Sequence, residues 1–281
     1  MTIIEASRYI RNKLKDLYPL QEIDAFTEII FNHLLNYKRL DIHLKASTPI
    51  LPEHELQIYD IIHQLERYRP IQYIVGYTEF YGFKFLVNES VLIPRPETEE
   101  LVEWISTDYK GSSPAIIDLG TGSGCIPVSL AKNLPGATIF GADISMEALD
   151  VASENALLNG VHVNFISLDI LSNRFPEFNP FDVIVSNPPY VTLQQKDRME
   201  HNVLDFEPHL ALFVPENDPL IFYKAIGAFA NSFLSPKGSL YFEINEDLFQ
   251  ETSNAIKELG FETELRKDIH GRYRMLKARR L

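Results

Sequence analysis

Cysteine is almost missing from this sequence of 281 residues, which contains only Cys125. One cysteine excludes an intramolecular disulfide framework and any metal site that needs several cysteines. A chain without disulfides is expected in the cytoplasm, and residues 1–10 lack the apolar block of a signal peptide. Because Cys125 lies in a glycine-rich turn that enters a helix, we interpret it as a small packed residue rather than a nucleophile.

Long apolar runs and an excess of basic residues are also missing. No apolar run reaches the roughly 18 residues that a membrane-spanning helix requires, so we expect no membrane partner. Lys and Arg total 26 against 39 Asp and Glu, which gives a formal net charge of -13. Binding to nucleic acid through its phosphates requires the opposite excess, so we expect no direct nucleic-acid partner.

The first part of the chain, residues 1–70, has apolar residues at helical spacing and predicts a small helical bundle. It carries no catalytic constellation of its own. Residues 71–93 change to aromatic and β-branched positions around Gly82, a pattern typical of a β-hairpin. We therefore expect a helical bundle joined by a hairpin to the rest of the chain.

Residues 94–281 alternate between short apolar strands and helices. Such repeats predict an α/β domain with a mostly parallel sheet that helices cover on both faces. Seven strands are predicted, at residues 115–118, 137–142, 161–166, 181–185, 239–244, 261–265 and 273–278.

A glycine-rich loop, Asp118-Leu119-Gly120-Thr121-Gly122-Ser123-Gly124, follows the first strand of this domain. Its glycines let the backbone approach a ligand closely, and open α/β sheets bind ligands at the carboxyl ends of strands. Asp143 ends the second strand, where its carboxylate can accept the hydroxyls of a ribose. Asp169 ends the third strand, beside Ile170, and can accept from an adenine amino group. Helix capping explains any one of these aspartates alone, but all three together favour a nucleotide-type site.

The spacing of the glycines helps to distinguish a site for a dinucleotide from a site for S-adenosylmethionine. A dinucleotide site requires G-x-G-x-x-G and holds a pyrophosphate, whereas this loop reads G-x-G-x-G and is preceded by Asp118. An acidic side chain disfavours pyrophosphate but suits S-adenosylmethionine, which has a sulfonium and an ammonium group and no phosphate. A nicotinamide-dependent oxidoreductase is the less favoured alternative.

The fourth strand is followed by Asn187-Pro188-Pro189-Tyr190. The side-chain carbonyl of Asn187 and the main-chain carbonyl of Pro188 can accept both hydrogens of an NH2 group, and the Tyr190 ring can pack on a planar substrate. Two such acceptors favour a pyramidal nitrogen whose lone pair is directed at a methyl group. An ordinary proline-rich turn is the alternative. We predict that Asn187, Pro188, Pro189 and Tyr190 form the catalytic site for methyl transfer.

These motifs together resemble those of the peptide chain release factor glutamine N5-methyltransferases, the PrmC/HemK family of class I methyltransferases. The resemblance covers almost the whole chain, and Leu-Ile-Pro-Arg-Pro-Glu-Thr-Glu at residues 92–99 is its most specific part. The other matching stretches are residues 72–76, 79–82, 118–124, 187–190 and 206–208.

The resemblance implies a Rossmann-like class I domain at residues 94–281, and transfer of a methyl group from S-adenosylmethionine, which leaves S-adenosylhomocysteine. The acceptor would be the glutamine of the Gly-Gly-Gln motif in peptide chain release factors 1 and 2. Residues 187–190 would receive this glutamine, and residues 1–70 would recognise the protein substrate; we expect a monomer. The residues that would contact the cofactor are Gly120, Thr121, Gly122, Ser123, Gly124, Asp143 and Asn187, with Asp118, Asp169 and Ile170 added from the strand ends.

The chain also departs from the family pattern. Ile170 stands where relatives often carry an aromatic residue, and residues 215–220 replace a Gly-Gly-x-Asp-Gly-Leu stretch. Glu97 and Thr98 would start a helix near the cofactor, with helix capping as the alternative. Because the motif at residues 187–190 is shared with related methyltransferases, a ribosomal-protein glutamine or a nucleobase amine is the alternative acceptor.

Overall fold

The computed structural model describes residues 1–172 and 174–281, apart from the side chains of residues 193, 197 and 198. The chain divides into two compact units. The first unit contains Met1–Gly76 and Glu200–Phe206, and the second contains Tyr77–Met199 and Glu207–Leu281. The short return of the chain to the first unit was not predicted, because a segment of this length carries no recognisable periodicity.

Helices form most of the first unit and alternate with strands in the second. None of those in the described residues combines the length and hydropathy needed to cross a bilayer. The helices are α1 (Ile3–Leu14), α2 (Leu20–Leu35), α3 (Arg39–Leu44), α4 (Pro52–Leu65), α5 (Ile71–Val75), α6 (Pro96–Asp108), α7 (Cys125–Asn133), α8 (Met146–Leu158), α9 (His201–Leu204), α10 (His209–Leu212), α11 (Ile221–Phe233) and α12 (Phe249–Glu258). The strands are β1 (Tyr77–Phe80), β2 (Phe83–Leu86), β3 (Ala115–Leu119), β4 (Thr138–Asp143), β5 (Asn164–Ser167), β6 (Phe181–Ser186), β7 (Leu234–Glu243), β8 (Phe261–Lys267) and β9 (Tyr273–Arg280).

The first unit is the helical bundle that the sequence predicts, but it extends further along the chain. Residues 71–75, which we assigned to the hairpin segment, form α5 instead. Pro70 precedes this helix, and Gly76 ends it at φ 82°. A proline before the first turn and a left-handed glycine after the last favour a helix, and here they outweigh the β-branched residues between them.

The second unit contains a seven-stranded sheet in the order β5-β4-β3-β6-β7-β9-β8. The first five strands of this order run parallel, and β9 is antiparallel to both β7 and β8. The strand order reverses direction at β3, so that β4 and β6 lie on opposite sides of it. This confirms the predicted mostly parallel α/β fold and creates the crevice where such sheets bind ligands.

Alternate side chains of β3 belong to two hydrophobic cores. Ile116 packs in a core with Leu101 of α6, and Ile117 packs in the other core with Phe229 of α11. Successive side chains of a strand point to opposite faces, so the sheet is covered on both faces as the apolar runs predicted. Asp118 shares the face of Ile116 and is fully buried at the end of the strand.

Strand β7 is longer than expected, because it begins at Leu234 rather than at residue 239. Residues 235–238 read Ser-Pro-Lys-Gly, which is typical of a turn. The pairing of β6 with β7 shifts its register between Phe181 and Val183. This irregularity lets the turn-like residues continue the strand.

Strands β1 and β2 form a hairpin with Tyr81 and Gly82 at φ 52° and 76°. Positive φ at both loop residues is the geometry of a type I′ turn, which matches the twist of the strands. Asn155 of α8 holds this hairpin: its Oδ1 accepts from the Leu86 amide at 2.6 Å, and its Nδ2 donates to the Leu86 carbonyl at 2.9 Å. The same Nδ2 donates to the carbonyl of Ser123 at 2.9 Å, so one side chain ties the hairpin to the glycine loop.

An ion pair fixes the segment between the hairpin and α6. Arg95 precedes the first residue of α6 and donates to Glu207 at 2.6 Å, and the Ile93 amide donates to the same carboxylate at 3.3 Å. Burial raises the pKa of Glu207, whose side chain is 1% exposed, and Arg95 opposes this effect. The arginine therefore holds a buried carboxylate and fixes the segment that leads into α6.

We predict that Arg95→Met lowers the free energy of unfolding by about 3 kcal/mol, because it leaves the buried carboxylate of Glu207 without its partner. Denaturant unfolding at neutral pH measures the loss, and adding Glu207→Gln should recover part of it. Arg272→Met is the control, because that arginine is 59% exposed and pairs with Glu246 at 2.9 Å. An exposed pair contributes at most about 1 kcal/mol, so equal losses in the two single variants would contradict the prediction.

Candidate functional site

The glycine loop and residues 187–190 lie at the same edge of the sheet. They follow β3 and β6, which are parallel neighbours with Asp118 opposite Val185. The hydroxyl of Ser186 donates to the carbonyl of Leu119 at 2.5 Å and joins the two strand ends where the loops begin. The structure therefore brings together the two motifs that the sequence separates by more than sixty residues.

The end of β4 holds the glycine loop in place. The amides of Gly120 and Thr121 both donate to the carbonyl of Ala142, at 2.8 and 2.9 Å. The amide of Gly122 donates to Asp143 Oδ2 at 2.8 Å, and the amide of Ser145 donates to Oδ1 at 3.0 Å. Each carboxylate oxygen can accept a further bond, so Asp143 supports the loop and keeps capacity for a ligand.

Gly124 ends the loop at φ 76° and directly precedes α7. A Cβ atom at this position would lie 3.0 Å from the Cβ of Ala152 in α8. Both the left-handed backbone and this close approach require glycine. The glycine therefore lets two helices pack closely directly behind the loop.

Asp118 is fully buried, and its two oxygens have different surroundings. Oδ2 accepts from the Thr121 hydroxyl at 2.7 Å, whereas Oδ1 has no hydrogen-bond partner among the described residues. Burial raises the pKa of Asp118 to about 7; the Thr121 hydrogen bond opposes this rise and the charge of Asp143 adds to it. A buried carboxylate of this kind is stabilised by an additional donor or positive charge.

A cavity of about 140 Å³ opens beside the glycine loop. Most of its walls are apolar, and Asp143 and Asp169 supply carboxylates. A narrow apolar cavity with a few polar groups suits a planar ring that carries polar substituents. The predicted site residues that line it are Gly120, Asp143, Asp169, Ile170, Pro188 and Pro189.

Other predicted cofactor residues lie around this cavity rather than in its wall. Gly122 lines a neighbouring cavity of about 230 Å³ that also includes Asp143. The side chains of Thr121 and Ser123 are buried, and Thr121 bonds to Asp118. These two side chains therefore support the loop.

Asn187 is connected to a buried carboxylate through a threonine. Its Nδ2 lies 3.3 Å from Thr98 Oγ1, and the Thr98 hydroxyl donates to Glu243 Oε2 at 2.6 Å. The Tyr190 hydroxyl donates to the other oxygen, Glu243 Oε1, at 3.1 Å. Burial raises the pKa of Glu243, whereas the two hydroxyls and the charge of Arg274 lower it. We call Asn187, Thr98, Glu243 and Tyr190 the amide network.

Hydrogen bonds fix both the side chain and the main chain of Tyr190. Burial and the neighbouring Glu243 raise the pKa of its hydroxyl, so it remains a donor. Its main-chain carbonyl accepts from Asn245 Nδ2 at 2.9 Å. The residues that follow β7 therefore fix the end of the segment 187–190.

Sequence reasoning missed Glu243, Asn245 and Ser186. Glu243 closes the apolar run Leu-Tyr-Phe at residues 240–242, and an acid at the end of a buried strand is the signal that could have identified it. Thr98 was weighed as a helix cap, but α6 begins at Pro96 after Arg95, and Thr98 bonds to Glu243 instead. Its hydroxyl therefore belongs to the site.

Comparison with known proteins identifies similar sequences for both units. The family model described as the Methyltransferase small domain matches residues 96–206, and the PrmC N-terminal domain matches residues 5–76. A release factor glutamine methyltransferase of Flavobacterium psychrophilum is 47% identical over 271 residues, which is 94% of each chain. The enzyme of the same name from Bacteroides thetaiotaomicron is 43% identical and aligns with 97% of this chain and 98% of its own.

Solved structures share the fold at much lower identity. A methyltransferase from Pyrococcus furiosus superimposes with a TM-score of 0.52 at 15% identity and covers 82% of this chain and 100% of its own. Identity at this level supports a common methyltransferase fold only.

We predict that Asp118→Asn changes how stability depends on pH. The ordinary pKa of Asp118 is 3.8 and its folded value is about 7, so the folded protein binds a proton more readily between these values. Stability therefore falls as pH rises from about 4 to about 7, and asparagine should remove a loss on the order of 2–4 kcal/mol.

The test is the slope of the free energy of unfolding against pH, measured at several pH values. The slope is used because the asparagine amide itself can change the absolute stability. Asp150→Asn, at an exposed position of α8, is the control. Parallel pH profiles for the wild-type protein and Asp118→Asn would contradict the prediction.

Proposed function

The chain belongs to the family of release factor glutamine methyltransferases, and from this premise we propose that it methylates the glutamine of the Gly-Gly-Gln motif in peptide chain release factors. The acceptor atom is the side-chain amide nitrogen, N5, and the donor is S-adenosylmethionine. The observation that carries the proposal is the position of residues 187–190 beside the glycine loop, with Ser186 bonded to Leu119 between them.

The residues of the cavity fit S-adenosylmethionine. Its apolar walls, with Ile170 among them, can hold the adenine, and Asp169 can accept from the adenine amino group. Asp143 lines both cavities and can accept ribose hydroxyls. Asp118 is buried beneath the loop with Oδ1 unpartnered among the described residues, and a cationic ligand bound nearby would favour its ionised form.

Asn187 and Pro188 provide the acceptors for the substrate amide. Because Asn187 Nδ2 faces Thr98, its Oδ1 remains an acceptor for one amide hydrogen, and the carbonyl of Pro188 accepts the other. The bound cofactor supplies an electron-poor methyl carbon. A carboxamide nitrogen is planar and weakly nucleophilic, so holding both hydrogens out of the amide plane raises its reactivity in the transition state.

The same two acceptors explain why no histidine or lysine base is needed. The amide nitrogen becomes cationic as it gains the methyl group, and its N–H bonds then become strongly acidic. The proton can leave to water from the nitrogen while Asn187 Oδ1 and the Pro188 carbonyl hold the group in position.

We propose that the first unit recognises the protein substrate. Its match to the PrmC N-terminal domain supports this role. Leu40 and Leu44 of α3 lie one helical turn apart and are 67% and 75% exposed. Exposed apolar side chains of this kind are common in surfaces that bind other proteins.

Incubating the protein with radiolabelled S-adenosylmethionine and a release factor tests the proposed function. We expect one labelled methyl group, which mass spectrometry should locate on the glutamine. A release factor with this glutamine replaced by alanine is the control, and RNA and a ribosomal protein are tested as alternative acceptors. Label on the alanine variant, or transfer only to the alternative acceptors, would overturn the proposal.

We predict that Asn187→Ala abolishes turnover and changes the affinity for S-adenosylhomocysteine by no more than about tenfold, or 1.4 kcal/mol. The variant loses the side-chain acceptor for the substrate amide, while the cavity that binds the adenosine keeps its lining. Calorimetry measures the affinity, and the labelling assay measures turnover. Near-normal turnover would rule out the assigned role.

A second prediction concerns substrate capture. The double variant Leu40→Ser, Leu44→Ser should raise KM for the release factor about tenfold or more, with the cofactor affinity unchanged, because it removes exposed apolar contacts of the first unit. Leu157→Ser on α8 is the control, since Leu157 is 82% exposed in the second unit. Surface variants are preferable to removing residues 1–76, because residues 200–206 pack in the same unit. An unchanged KM would contradict a role for this surface.

A further inference from the structure

We propose that Thr98 and Glu243 are positioning residues that set which way the side-chain amide of Asn187 faces. This inference rests on the proposed function, because it concerns the acceptor for the substrate amide. Neither residue belongs to the segment 187–190 or to the glycine loop. They act through hydrogen bonds whose directions follow from the chemistry of each group.

Glu243 determines the direction of the first bond. Its two carboxylate oxygens receive two hydroxyls, Thr98 on Oε2 at 2.6 Å and Tyr190 on Oε1 at 3.1 Å. Burial favours the neutral form of Glu243, and this effect is opposed by both hydroxyl donors and by the positive charge of Arg274. Each of the two oxygens accepts a hydroxyl hydrogen in this arrangement, which matches an ionised carboxylate, because that group can only accept. The single hydrogen of the Thr98 hydroxyl is therefore committed to Glu243.

The donation from Thr98 to Glu243 also fixes the direction of the second bond, between Asn187 and Thr98. Thr98 Oγ1 has no hydrogen left to donate, so it can only accept from Asn187. The amide group of Asn187 must then turn its NH2 toward Thr98, at 3.3 Å, and present Oδ1 on its other side. The opposite rotamer would place Oδ1 against a lone pair of Thr98 Oγ1 and would offer a donor where the substrate NH2 also donates.

The bond to a carboxylate also strengthens the chain of hydrogen bonds. A hydroxyl that donates to a charged acceptor becomes a better acceptor itself, and linked hydrogen bonds polarise one another. The Asn187 carbonyl oxygen is therefore more negative than that of an isolated amide. This increases its pull on a substrate hydrogen as the substrate nitrogen becomes positive.

The fold places the three groups from separate parts of the second unit. Thr98 lies in the first turn of α6, Glu243 is the last residue of β7, and Asn187 follows β6. Pairing of β6 with β7 brings the last two together. Thr98 is 2% exposed and Glu243 is 1% exposed, so water does not compete for these bonds.

The test compares three substitutions of Thr98 in the full chain. Thr98→Val keeps the shape but removes the hydroxyl, and it should lower kcat by about tenfold or more, which corresponds to about 1.4 kcal/mol in the transition state. The affinity for S-adenosylhomocysteine should change by less than about threefold, because Thr98 does not line the cavity. Thr98→Ser keeps the hydroxyl and should restore kcat to within about threefold of the wild type. Thr98→Ala gives a second variant without the hydroxyl if valine prevents folding.

Glu243→Gln tests the direction of the bonds. A glutamine amide at this position can donate to Thr98, which frees the Thr98 hydrogen to face Asn187 and favours the reversed amide. We expect a kcat loss similar to that of Thr98→Val. The side-chain amide NMR signals of Asn187 can be assigned with Asn187→Asp and measured with no cofactor present. They should shift in Thr98→Val and Glu243→Gln but keep their wild-type positions in Thr98→Ser.

Thr252→Val is the matched control, because Thr252 of α12 is also buried and its hydroxyl donates at 2.8 Å to the carbonyl of Leu248, the residue before that helix. It should lose stability without losing kcat. The inference is overturned if Thr98→Val keeps kcat within about threefold of an active wild type, or if Thr98→Ser loses as much as Thr98→Val. If the wild type itself does not methylate the release factor, the proposed function fails instead, and the NMR comparison still decides the amide direction.

Discussion

Parallel pairing of β3 with β6 is the constraint on which the site depends. It places the ends of two strands side by side, so that a loop shaped by glycine and a segment shaped by proline open at one edge. The bond from Ser186 to Leu119 then sets their spacing. The chemistry depends on this arrangement because a methyl donor and a weak nucleophile must be aligned closely before they can react.

Burial of charged and polar groups gives the site its rigidity. Asp118 is the penultimate residue of β3 and Glu243 is the last residue of β7, and both lie almost wholly away from water. Buried carboxylates are unfavourable unless donors surround them, so each one organises nearby hydroxyls. Asp118 orders Thr121 of the loop, whereas Glu243 orders Thr98 and Tyr190. Buried carboxylates therefore order the loops at this edge of the sheet.

The sequence predicted the α/β class, the family and the adjacent loops, because these follow from apolar periodicity and from local motifs. The predictions for the family and the fold are confirmed. The roles of the individual site residues remain predictions, although the cavity brings six of them together. Glu243 and Thr98 were not recognised as partners, because their pairing joins residues 145 positions apart and depends on tertiary packing. The helix at residues 71–75 was missed because five residues give too short a pattern to distinguish the two periodicities.

The two hydrogen bonds between Asn155 and Leu86 have a consequence for association between molecules. A two-stranded hairpin exposes an outer row of amides and carbonyls that another chain could extend into a larger sheet. Asn155 supplies both a donor and an acceptor to one residue of that outer row, as a neighbouring strand would. The side chain thus occupies the position where a foreign strand would begin to pair, and it protects β2 against intermolecular sheet growth.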